Sequence, residues 1–391
     1  MLSTHDAAVA VAGEVAAGWA DGVVERDRAG ASVVPGEALA ALDSSGLLGI
    51  TVPAGDGGPG LGAVTLAEVV RVLAAVDPAL AQVPQGHFLL VDALAVHGSA
   101  EARKRLFGEV LAGRRIGNAL AERGGKHAQD LKTSYAGGVL SGTKYYATGA
   151  LTAAWIAVSA LDEGGRLSLV FVRRDAAGVE VDTDWNVMGQ RATISGTARF
   201  EGVPVEPELV VDWAGAFAVP QQLGARAQLV HAAIEVGIAG GALRDTRAYL
   251  RERARPSTEA VRFGASSAAG DPHVLHRYGR AASQVRAAEA LLADAARTLD
   301  GVGLVPADAE AAARGSLAVA AAKAFASEVA VETASELFAL CGTSATDERW
   351  DLHRHWRNAR THSVHDPVDW KYHHLGAYEL AGTLPPNHGQ L

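Results

Sequence analysis

The sequence predicts an α+β fold with three parts in the order helical, β, helical. Two patterns support this prediction. Apolar residues repeat at helical spacing in the first and last parts, whereas the middle part holds short β-branched and aromatic runs separated by Gly and Asp. We therefore expect an N-terminal all-α domain over residues 1–113, a central β domain over 114–212, and a C-terminal four-helix bundle with a tail over 213–391.

The composition is that of a folded chain. Its 391 residues are enough for two or three globular domains. Because 49% of them are hydrophobic and 20% are charged, disorder is excluded as the main feature. Only 8 Phe, 7 Tyr and 7 Trp are present, so small residues, mostly alanine, must fill much of the interior. Alanine also favours helices.

Charge and cysteine content exclude several classes of function. The 44 acidic and 35 basic residues give a net charge of −9, without the positive field of a nucleic-acid-binding protein. Cys341 is the only cysteine, which excludes an intrachain disulfide or a multi-thiolate metal site. The sequence does not begin like a secretory signal, and no uncharged apolar run approaches the roughly 18 residues of a membrane helix. We expect a soluble cytoplasmic protein with neither nucleic acid nor membrane as a partner.

The N-terminal part reads as helices joined by short loops. Val64 to Val76 repeats apolar positions at helical spacing, and Asp77-Pro78 ends this helix. The stretch QGHFLLVDALAVHG predicts another helix, and Ser99 is a plausible N-cap for the one that follows and ends near Gly113. All of this part is expected to be helical.

The middle part contains the candidate strands. The runs YAGGVLSGTKYYATG, AAWIAVSAL, RLSLVFVRR and TARFEGVPV have strand composition and are separated by turn residues. Their spacing suggests a small antiparallel barrel or sandwich. From Trp213 onward the helical period returns in three long segments and a shorter one after residue 366, as in an antiparallel bundle.

Two clusters have simple explanations. The glycines of AGDGGPGLG resemble a phosphate loop, but a dinucleotide fingerprint needs a preceding strand, and this cluster lies between helices. A tight interhelical turn is the favoured interpretation. Histidines are dense near the end of the chain, but HWRNARTHSVHDP lacks the spacing of a zincin, so we expect no metal site. A histidine acting as an acid or base fits better, since its ordinary pKa is roughly 6.5.

Three further positions leave alternatives open. His87 lies on an apolar helix, where a core or surface histidine is commoner than a catalytic one. Asn118 stands at the junction of the helical and β parts, where ligand pockets often form. Trp185 lies in DTDWNVMGQRATISGTARFEG; it is either a half-buried Trp in a turn or a stacking face for a planar cofactor.

Four segments in order resemble the acyl-CoA dehydrogenase superfamily across nearly the whole chain. They are VPAGDGGPGLG, SGTKYYATGA, DWNVMGQRATISGTARFEGVPVEPELV and LCGTSATDERWDLHRHWRNARTHSVHDPVDWKYHHLGAYEL. Within the superfamily, the last segment and the PPNH after it are similar to the reduced-flavin-dependent monooxygenases of the dibenzothiophene monooxygenase and sulfur-acquisition type.

The resemblance implies a two-component monooxygenase. Such an enzyme takes reduced FMN from a separate flavin reductase, with FAD as the other possible cofactor. It reacts the flavin with O2 to a flavin C4a-hydroperoxide and oxygenates a small organic substrate. The resemblance also implies a homotetramer that holds flavin at a subunit interface.

The resemblance further suggests site residues. Thr148 stands where these monooxygenases use Ser or Thr against the flavin ring, Asn118 matches a polar residue of the site, and Trp185 and Ser195 match residues that contact the flavin. Arg253 and Arg255 in RERARP resemble the segment whose arginine binds the flavin phosphate, and the choice between them stays open.

The terminal site separates two activities. The dehydrogenases use a catalytic glutamate where this chain has Asp366, which is shorter and precedes Pro367. We therefore expect His365, with Thr148 and His87, to be catalytic in a monooxygenase. The alternative is an FAD-dependent acyl-CoA dehydrogenase that uses Asp366 as its base.

Overall fold

The chain folds as a central sheet between two helical regions, which confirms the α+β fold class. The computed structural model describes residues 2–127 and 130–389. Within these residues every named strand lies between Ile116 and Asp212. The fold is thus helical, then β, then helical along the chain.

Seven helices precede the sheet in the described chain. They are α1 (His5–Ala20), α2 (Val23–Ala29), α3 (Gly36–Ser44), α4 (Ala63–Ala74), α5 (Pro78–Gln82), α6 (Gln85–His97) and α7 (Ala100–Leu111). Two of these helices begin at a residue whose side chain caps the helix N-terminus. Asp77 accepts a hydrogen bond from the Leu80 N–H with Pro78 in the first turn of α5, and Ser99 caps α7 by accepting one from Ala102 N–H.

The glycine cluster before α4 is an interhelical turn, as predicted. Gly57 and Gly60 have positive φ angles of 86° and 63°, which glycine adopts without strain. The N-terminus of α4 is already capped, because an Asp300 carboxylate accepts hydrogen bonds from the N–H groups of Ala63 and Val64 at 2.5 and 3.1 Å.

The eight strands form one mixed sheet. They are β1 (Ile116–Ala119), β2 (Ser134–Ala136), β3 (Val139–Lys144), β4 (Trp155–Leu161), β5 (Leu167–Arg173), β6 (Val179–Val181), β7 (Ala198–Pro204) and β8 (Val210–Asp212). The order is β6-β7-β3-β2-β4-β5-β8, and β1 pairs with β4 beside this path. The Gly137-Gly138 turn, with both φ angles positive, joins β2 to β3 as a tight hairpin.

The sheet differs from the predicted antiparallel arrangement in one respect. Strands β1 and β2 both pair with β4 in parallel, while the other pairs are antiparallel. A parallel pair needs a long connection, and the chain between Ala119 and Trp155 supplies one. Sequence spacing alone does not reveal this pairing.

The last part contains the bundle. Its helices are α8 (Trp213–Ala216), α9 (Leu223–Glu252), α10 (Thr258–Arg262), α11 (Pro272–Val302), α12 (Ala309–Cys341), α13 (His353–Ser363) and α14 (Val368–Ala381). Alanine and glycine let these helices approach closely. A Cβ atom at Gly237 of α9 would lie 2.6 Å from the Cβ of Ala74 at the end of α4.

Two large cores connect the three parts. One joins the N-terminal helices to α9, α11 and α12, and the other joins α6 and α7 to the sheet. Residues Pro78–His97 are long and apolar enough to span a membrane by length and composition alone, but 78% of the tested window is buried inside the protein. This burial is typical of a core helix.

Candidate active site

Four predicted residues meet at the edge of the β domain, and one lies on the bundle side. The first four are Asn118, Thr148, Trp185 and Ser195, and the fifth is His365 between α13 and α14. The remaining three, His87, Arg253 and Arg255, lie elsewhere. A series of hydrogen bonds through residues 185–197 and α13 connects the two sides.

Three hydroxyl groups form the centre of the β-domain side. The Oγ1 of Thr148 and the Oγ of Ser195 are 2.7 Å apart, and the Oγ1 of Thr193 is 2.9 Å from the same Ser195 oxygen. All three residues are buried. The backbone turns sharply here, because Gln190 and Ile194 have φ angles of 51° and 45°. Such left-handed conformations are uncommon for non-glycine residues and often accompany functional sites.

Asn118 lies next to this hydroxyl cluster. Its backbone N–H donates a 3.1 Å hydrogen bond to the carbonyl of Thr148, which joins β1 to the turn after β3. Its side chain packs against α6 at Gly86, where an added Cβ would lie 2.6 Å from the Asn118 Nδ2. Close packing at a glycine thus positions the amide beside the Thr148 turn.

Trp185 is half-buried and oriented by its own segment. Its Nε1–H donates a 2.9 Å hydrogen bond to the carbonyl of Gln190. The ring of Tyr146, which has a φ of 58°, meets it edge-on with centroids 6.1 Å apart. Because the polar atom of the indole is satisfied within the protein, the ring can offer apolar surface to a ligand.

Helix α13 supports the segment that carries Trp185. The Asn358 Oδ1 accepts a 2.6 Å hydrogen bond from Gln190 N–H, and Arg357 Nη1 donates to the Met188 carbonyl at 2.8 Å. Between them, a Cβ at Gly189 would lie only 2.0 Å from the Arg357 carbonyl oxygen. Only glycine fits this contact, which holds the β domain against α13.

His365 lies between α13 and α14, on the bundle side, and is partly exposed. Its side chain is 46% exposed, and its Nδ1 lies 3.3 Å from the Asp366 Oδ1. The other Asp366 oxygen pairs with Lys371 Nζ at 2.9 Å, and both of those side chains are buried. Burial favours a raised pKa for Asp366, but the hydrogen bond from His365 and the charges of Lys323 and Lys371 lower that pKa below its ordinary value. Asp366 is therefore ionised and fully engaged.

A buried polar network behind His365 was not found by sequence reasoning. The ring of His231 on α9 packs against His365 at a tilt of 34°, with centroids 4.1 Å apart. The His231 Nδ1 lies 3.1 Å from the His362 Nε2, and the His362 Nδ1 lies 3.0 Å from a Glu235 oxygen. Glu235 also pairs with Lys323 Nζ at 2.6 Å.

The sequence did contain a signal for this network. His231 and Glu235 stand four residues apart in the otherwise apolar stretch LVHAAIEVG, and Lys323 is the one charged residue of AVAAAKAFA. Charged residues on helices that are apolar all round are seldom buried unless paired. The sequence does not show that Lys323 pairs with Glu235, because the two residues are 88 positions apart and lie on different helices.

The structure corrects the expectation for His87. The ring is completely buried; one nitrogen is 2.9 Å from the Leu48 carbonyl, and the other accepts a 3.1 Å hydrogen bond from Ile116 N–H. Burial lowers its pKa to about 4, so the ring is neutral. With both nitrogens bound to backbone groups, His87 joins α6 to the sheet and is not available as a catalytic partner of His365.

Arg253 and Arg255 do not join the site within one chain. Both are exposed beyond the end of α9, and the Arg253 guanidinium lies 4.0 Å above the Trp350 ring. At 1.5 Å per residue, Arg253 stands about 33 Å along α9 from His231. Both arginines therefore lie near the opposite end of α9 from His231 and the His365 ring beside it.

The side chains present suit a planar heteroaromatic ligand better than a metal ion. Across residues 2–127 and 130–389, no group of three or more His, Cys, Asp and Glu side chains is arranged to hold a metal. The β-domain side instead offers hydroxyl and amide groups that donate and accept, next to an indole. These donors match the alternating polar atoms at the edge of a flavin ring.

Comparison with family models covers most of the chain. The acyl-CoA dehydrogenase N-terminal domain matches residues 5–114, the middle domain matches 119–203, and the C-terminal domain matches 229–370. The three matches follow the order of the helical, β and helical parts.

Comparison with individual proteins gives more specific similarities. Dibenzothiophene monooxygenase of Rhodococcus erythropolis is 34% identical over 402 residues, covering 96% of this chain and 94% of that protein. The Pseudomonas putida protein named "Probable FMNH2-dependent monooxygenase SfnC" is 34% identical over 391 residues, with 97% and 96% coverage. The crystal structure of FMN-bound TdsC from Paenibacillus sp. A11-2 superposes with a TM-score of 0.92 at 30% identity, covering 98% of this chain and 100% of that one. TdsC is also known in a complex with FMN and indole.

Proposed function

This chain belongs to the acyl-CoA dehydrogenase family, and from that membership we propose that it is a flavin-dependent monooxygenase that uses reduced FMN and O2 to oxygenate a small organic substrate. The observation that carries the proposal is the contrast between two neighbouring residues. Asp366, at the position expected for a dehydrogenase base, is buried and paired with Lys371, whereas the imidazole of His365 is exposed.

The β-domain side would hold the cofactor. Asn118, Thr148 and Ser195 would bind the polar edge of the flavin, and Trp185 would pack against its ring. Bound reduced FMN supplies the reaction with O2, for which protein side chains have no equivalent. Supply by a separate flavin reductase, the oxygen-transfer route expected from the sequence, and a cytoplasmic location belong to the same proposal.

His365 is the proton donor or acceptor in this scheme. Its Nδ1 lies 3.3 Å from the Asp366 carboxylate, which leaves the Nε2 for the reacting molecules. Thr148 and Ser195 form a second polar group that can orient a reactant by hydrogen bonds. Geometry of this kind raises a rate mainly by holding reacting atoms in place.

The assembly expected from the resemblance is a homotetramer, and we propose it here for a physical reason. Arg253 and Arg255 lie near the opposite end of α9 from His231 and the His365 ring beside it. We infer that an arginine of this pair that binds the flavin phosphate does so in the site of a neighbouring copy. A homotetramer with flavin at subunit interfaces allows this contact.

The alternative activity, FAD-dependent acyl-CoA dehydrogenation, has less support. A general base works best when its pKa lies near the working pH, and the pKa of Asp366 is lowered by its partners. A simple experiment separates the two activities. Protein loaded with oxidised FAD or FMN is mixed anaerobically with acyl-CoA thioesters, and flavin bleaching would contradict the monooxygenase proposal.

The direct experiment is turnover with chemically reduced FMN. Indole and dibenzothiophene serve as probe substrates, O2 consumption is recorded, and products are identified by mass. We expect oxygenated product from the wild-type protein. His365→Ala should lower product formation by about 100-fold while FMN binding persists, since removal of an acid or base costs roughly that much. Equal turnover by His365→Ala would exclude the role given to this residue.

A further inference from the structure

His365 needs support to keep one orientation, because its side chain is nearly half exposed. Exposed side chains change rotamer on the picosecond to nanosecond timescale. The contact between His365 Nδ1 and Asp366 at 3.3 Å is long for a hydrogen bond to a carboxylate. A proton donor must come within roughly 2.6 to 3.2 Å of its target. Something else must therefore restrict the ring.

His231 provides that restriction from α9. Its ring packs against the ring of His365 in a tilted arrangement, with centroids 4.1 Å apart and an angle of 34° between the planes. Unlike His365, His231 is buried, with 2% of its surface exposed. A buried ring thus packs against a half-exposed one, and in this position the His365 Nδ1 lies beside Asp366.

The orientation of His231 is set by a buried carboxylate on its own helix. Glu235 is completely buried and accepts hydrogen bonds from Lys323 Nζ at 2.6 Å and from Ser327 Oγ at 2.7 Å. Burial tends to raise the pKa of Glu235, but the charge of Lys323 and the hydrogen bond with His362 lower it. The carboxylate is ionised and can only accept, so the His362 Nδ1–H donates to it at 3.0 Å.

This contact determines the tautomers of two rings. Burial lowers the pKa of His362 and of His231, so both are neutral. With its proton on Nδ1, His362 offers a bare Nε2, and the His231 Nδ1–H donates to it at 3.1 Å. A single carboxylate therefore fixes the protons of both rings and prevents His231 from turning.

The charged groups around His365 form two pairs, each of one lysine and one carboxylate. Lys323 on α12 pairs with Glu235 on α9, and Lys371 on α14 pairs with Asp366. The neutral rings of His231 and His362 complete the surroundings from α9 and α13. His365 therefore packs against an uncharged ring.

We propose that His231 is the positioning residue of His365, and that Glu235, through His362, locks His231 in the orientation that supports His365. The inference rests on the proposed function, in which His365 handles the proton. His231 acts only through His365 and is not itself a catalytic residue. The same contacts explain why polar residues interrupt the apolar faces of α9 and α12.

A double-mutant cycle tests the proposal with chemically reduced FMN and indole. We compare wild type, His231→Ala, His365→Ala and the double variant. His231→Ala should lower kcat by about 10- to 100-fold with little change in the Kd for FMN, since small misplacements cost about that much. Because His231 acts through His365, the double variant should be no slower than His365→Ala. Losses that multiply would overturn the proposal.

Two further variants separate positioning from folding. His231→Phe keeps a ring face but lacks the Nδ1–H, and we expect its kcat to lie between those of wild type and His231→Ala. A His231→Phe rate no better than that of a folded His231→Ala would contradict the packing role of the ring. His276→Ala, which removes an exposed histidine of α11, is the control and should behave as wild type.

A measurement without turnover keeps this inference separate from the proposed function. In protein with 13C-labelled histidine, the ring of His231 should shift the His365 Cε1–H signal upfield by its ring current, and His231→Ala should abolish that shift. Absence of oxygenated product from the wild type would contradict the proposed function alone. A His365 signal that is unchanged by His231→Ala would contradict the positioning role, whatever the activity.

Discussion

Asp366 and His365 are neighbours in the chain, yet one side chain is buried and paired and the other is exposed. The carboxylate is buried between Lys371 and His365, so its charge is permanently engaged. The imidazole faces outward and keeps one nitrogen free of Asp366. Pairs of titratable groups in contrasting environments commonly divide the roles of a site in this way. The proposed function therefore gives the proton-exchanging role to the exposed histidine.

The burial of His87 leads us to predict how the free energy of unfolding depends on pH. Its pKa is about 4 in the folded protein and near 6.5 when unfolded, so the unfolded chain binds the proton more readily. The stability contributed by neutral His87 is complete above pH 6.5 and is lost as the pH falls toward 4. Between pH 6.5 and 5 this one group should cost about 2 kcal/mol of unfolding free energy.

The measurement is urea unfolding of wild type and His87→Gln at both pH values. The amide can still donate and accept a hydrogen bond but does not titrate. We expect His87→Gln to be less stable at pH 6.5 but to lose about 2 kcal/mol less on acidification. The exposed His276→Gln is the control. Equal pH dependence in wild type and His87→Gln would contradict the buried, neutral state.

Thr148 makes a prediction about cofactor binding. Thr148→Val keeps the side-chain volume but removes the hydroxyl that contacts Ser195 at 2.7 Å. Loss of one buried hydrogen-bonding group costs about 1 kcal/mol, so the Kd for FMN should rise about fivefold. Fluorescence titration measures this change. Thr343→Val, at an exposed position outside the site, should bind FMN as wild type does; an equal effect of both changes would rule out a direct role for Thr148.

At the scale of elements, the contact between the segment around Gly189 and α13 positions the Trp185 side of the candidate site. Its contact with the carbonyl of Arg357 leaves no space for a Cβ atom. Gly189→Ala must therefore push the Trp185 segment away from α13, and we expect FMN affinity to fall by about tenfold or more, with a loss of about 1 to 3 kcal/mol in unfolding free energy. Calorimetric titration with FMN and urea unfolding measure the two effects.

Gly55→Ala provides the matched control for this change. Gly55 also lies in a tight turn, but a Cβ added there would meet nothing within 4 Å, and its φ is not positive. The control should retain wild-type stability and FMN binding. If Gly189→Ala behaves like Gly55→Ala, then α13 does not position the Trp185 segment.

Many elements could be predicted from local sequence. The helix after Ser99 begins at the predicted cap, and the runs WIAVSAL and LSLVFVR form paired strands. Local rules succeed here because capping and alternation involve near neighbours. They do not reveal the left-handed turns at Gln190 and Ile194, since nothing in those residue types demands a positive φ.

The site was only partly predictable for a related reason. Asn118, Thr148, Trp185 and Ser195 were suggested by resemblance, and the structure brings them together at one edge of the sheet. The network behind His365 depends on pairs between α9, α12 and α13, which are far apart in sequence. His87 was predicted to be catalytic but has a structural role. The sequence cannot show this, because a histidine on a helix looks the same whether its ring nitrogens are free or hydrogen-bonded.

At the scale of the whole molecule, single residues join the three parts. Arg357 of α13 contacts Asp27 of α2, the Met188 carbonyl of the β domain and Asp351 before α13. Gln190 of the β domain donates to the carbonyl of Pro78 on α5 at 3.4 Å. The candidate site thus lies where all three parts meet, as ligand sites often do.

The separation of the arginines from His365 makes a prediction about assembly. A variant with Arg253→Ala and Arg255→Ala and a variant with Thr148→Leu should each lose FMN binding. Suppose that the arginine and the hydroxyl cluster of one site come from different copies. In a random one-to-one mixture of the two variants, about half of the hydroxyl clusters and about half of the arginine pairs are intact, so about a quarter of the sites should have both. Co-expression with two different tags and FMN titration tests this. No recovery in the mixed assembly would contradict a site shared between copies.

The central claim, oxygenation by reduced FMN and O2, is tested most directly by isotope labelling. The protein is given chemically reduced FMN and indole or dibenzothiophene under 18O2, and in parallel under 16O2 in H2 18O. A monooxygenase should place one 18O atom per oxygenation in the product from 18O2 and none from water. Product without 18O from 18O2, or no oxygenated product together with flavin bleaching by an acyl-CoA thioester, would contradict the account.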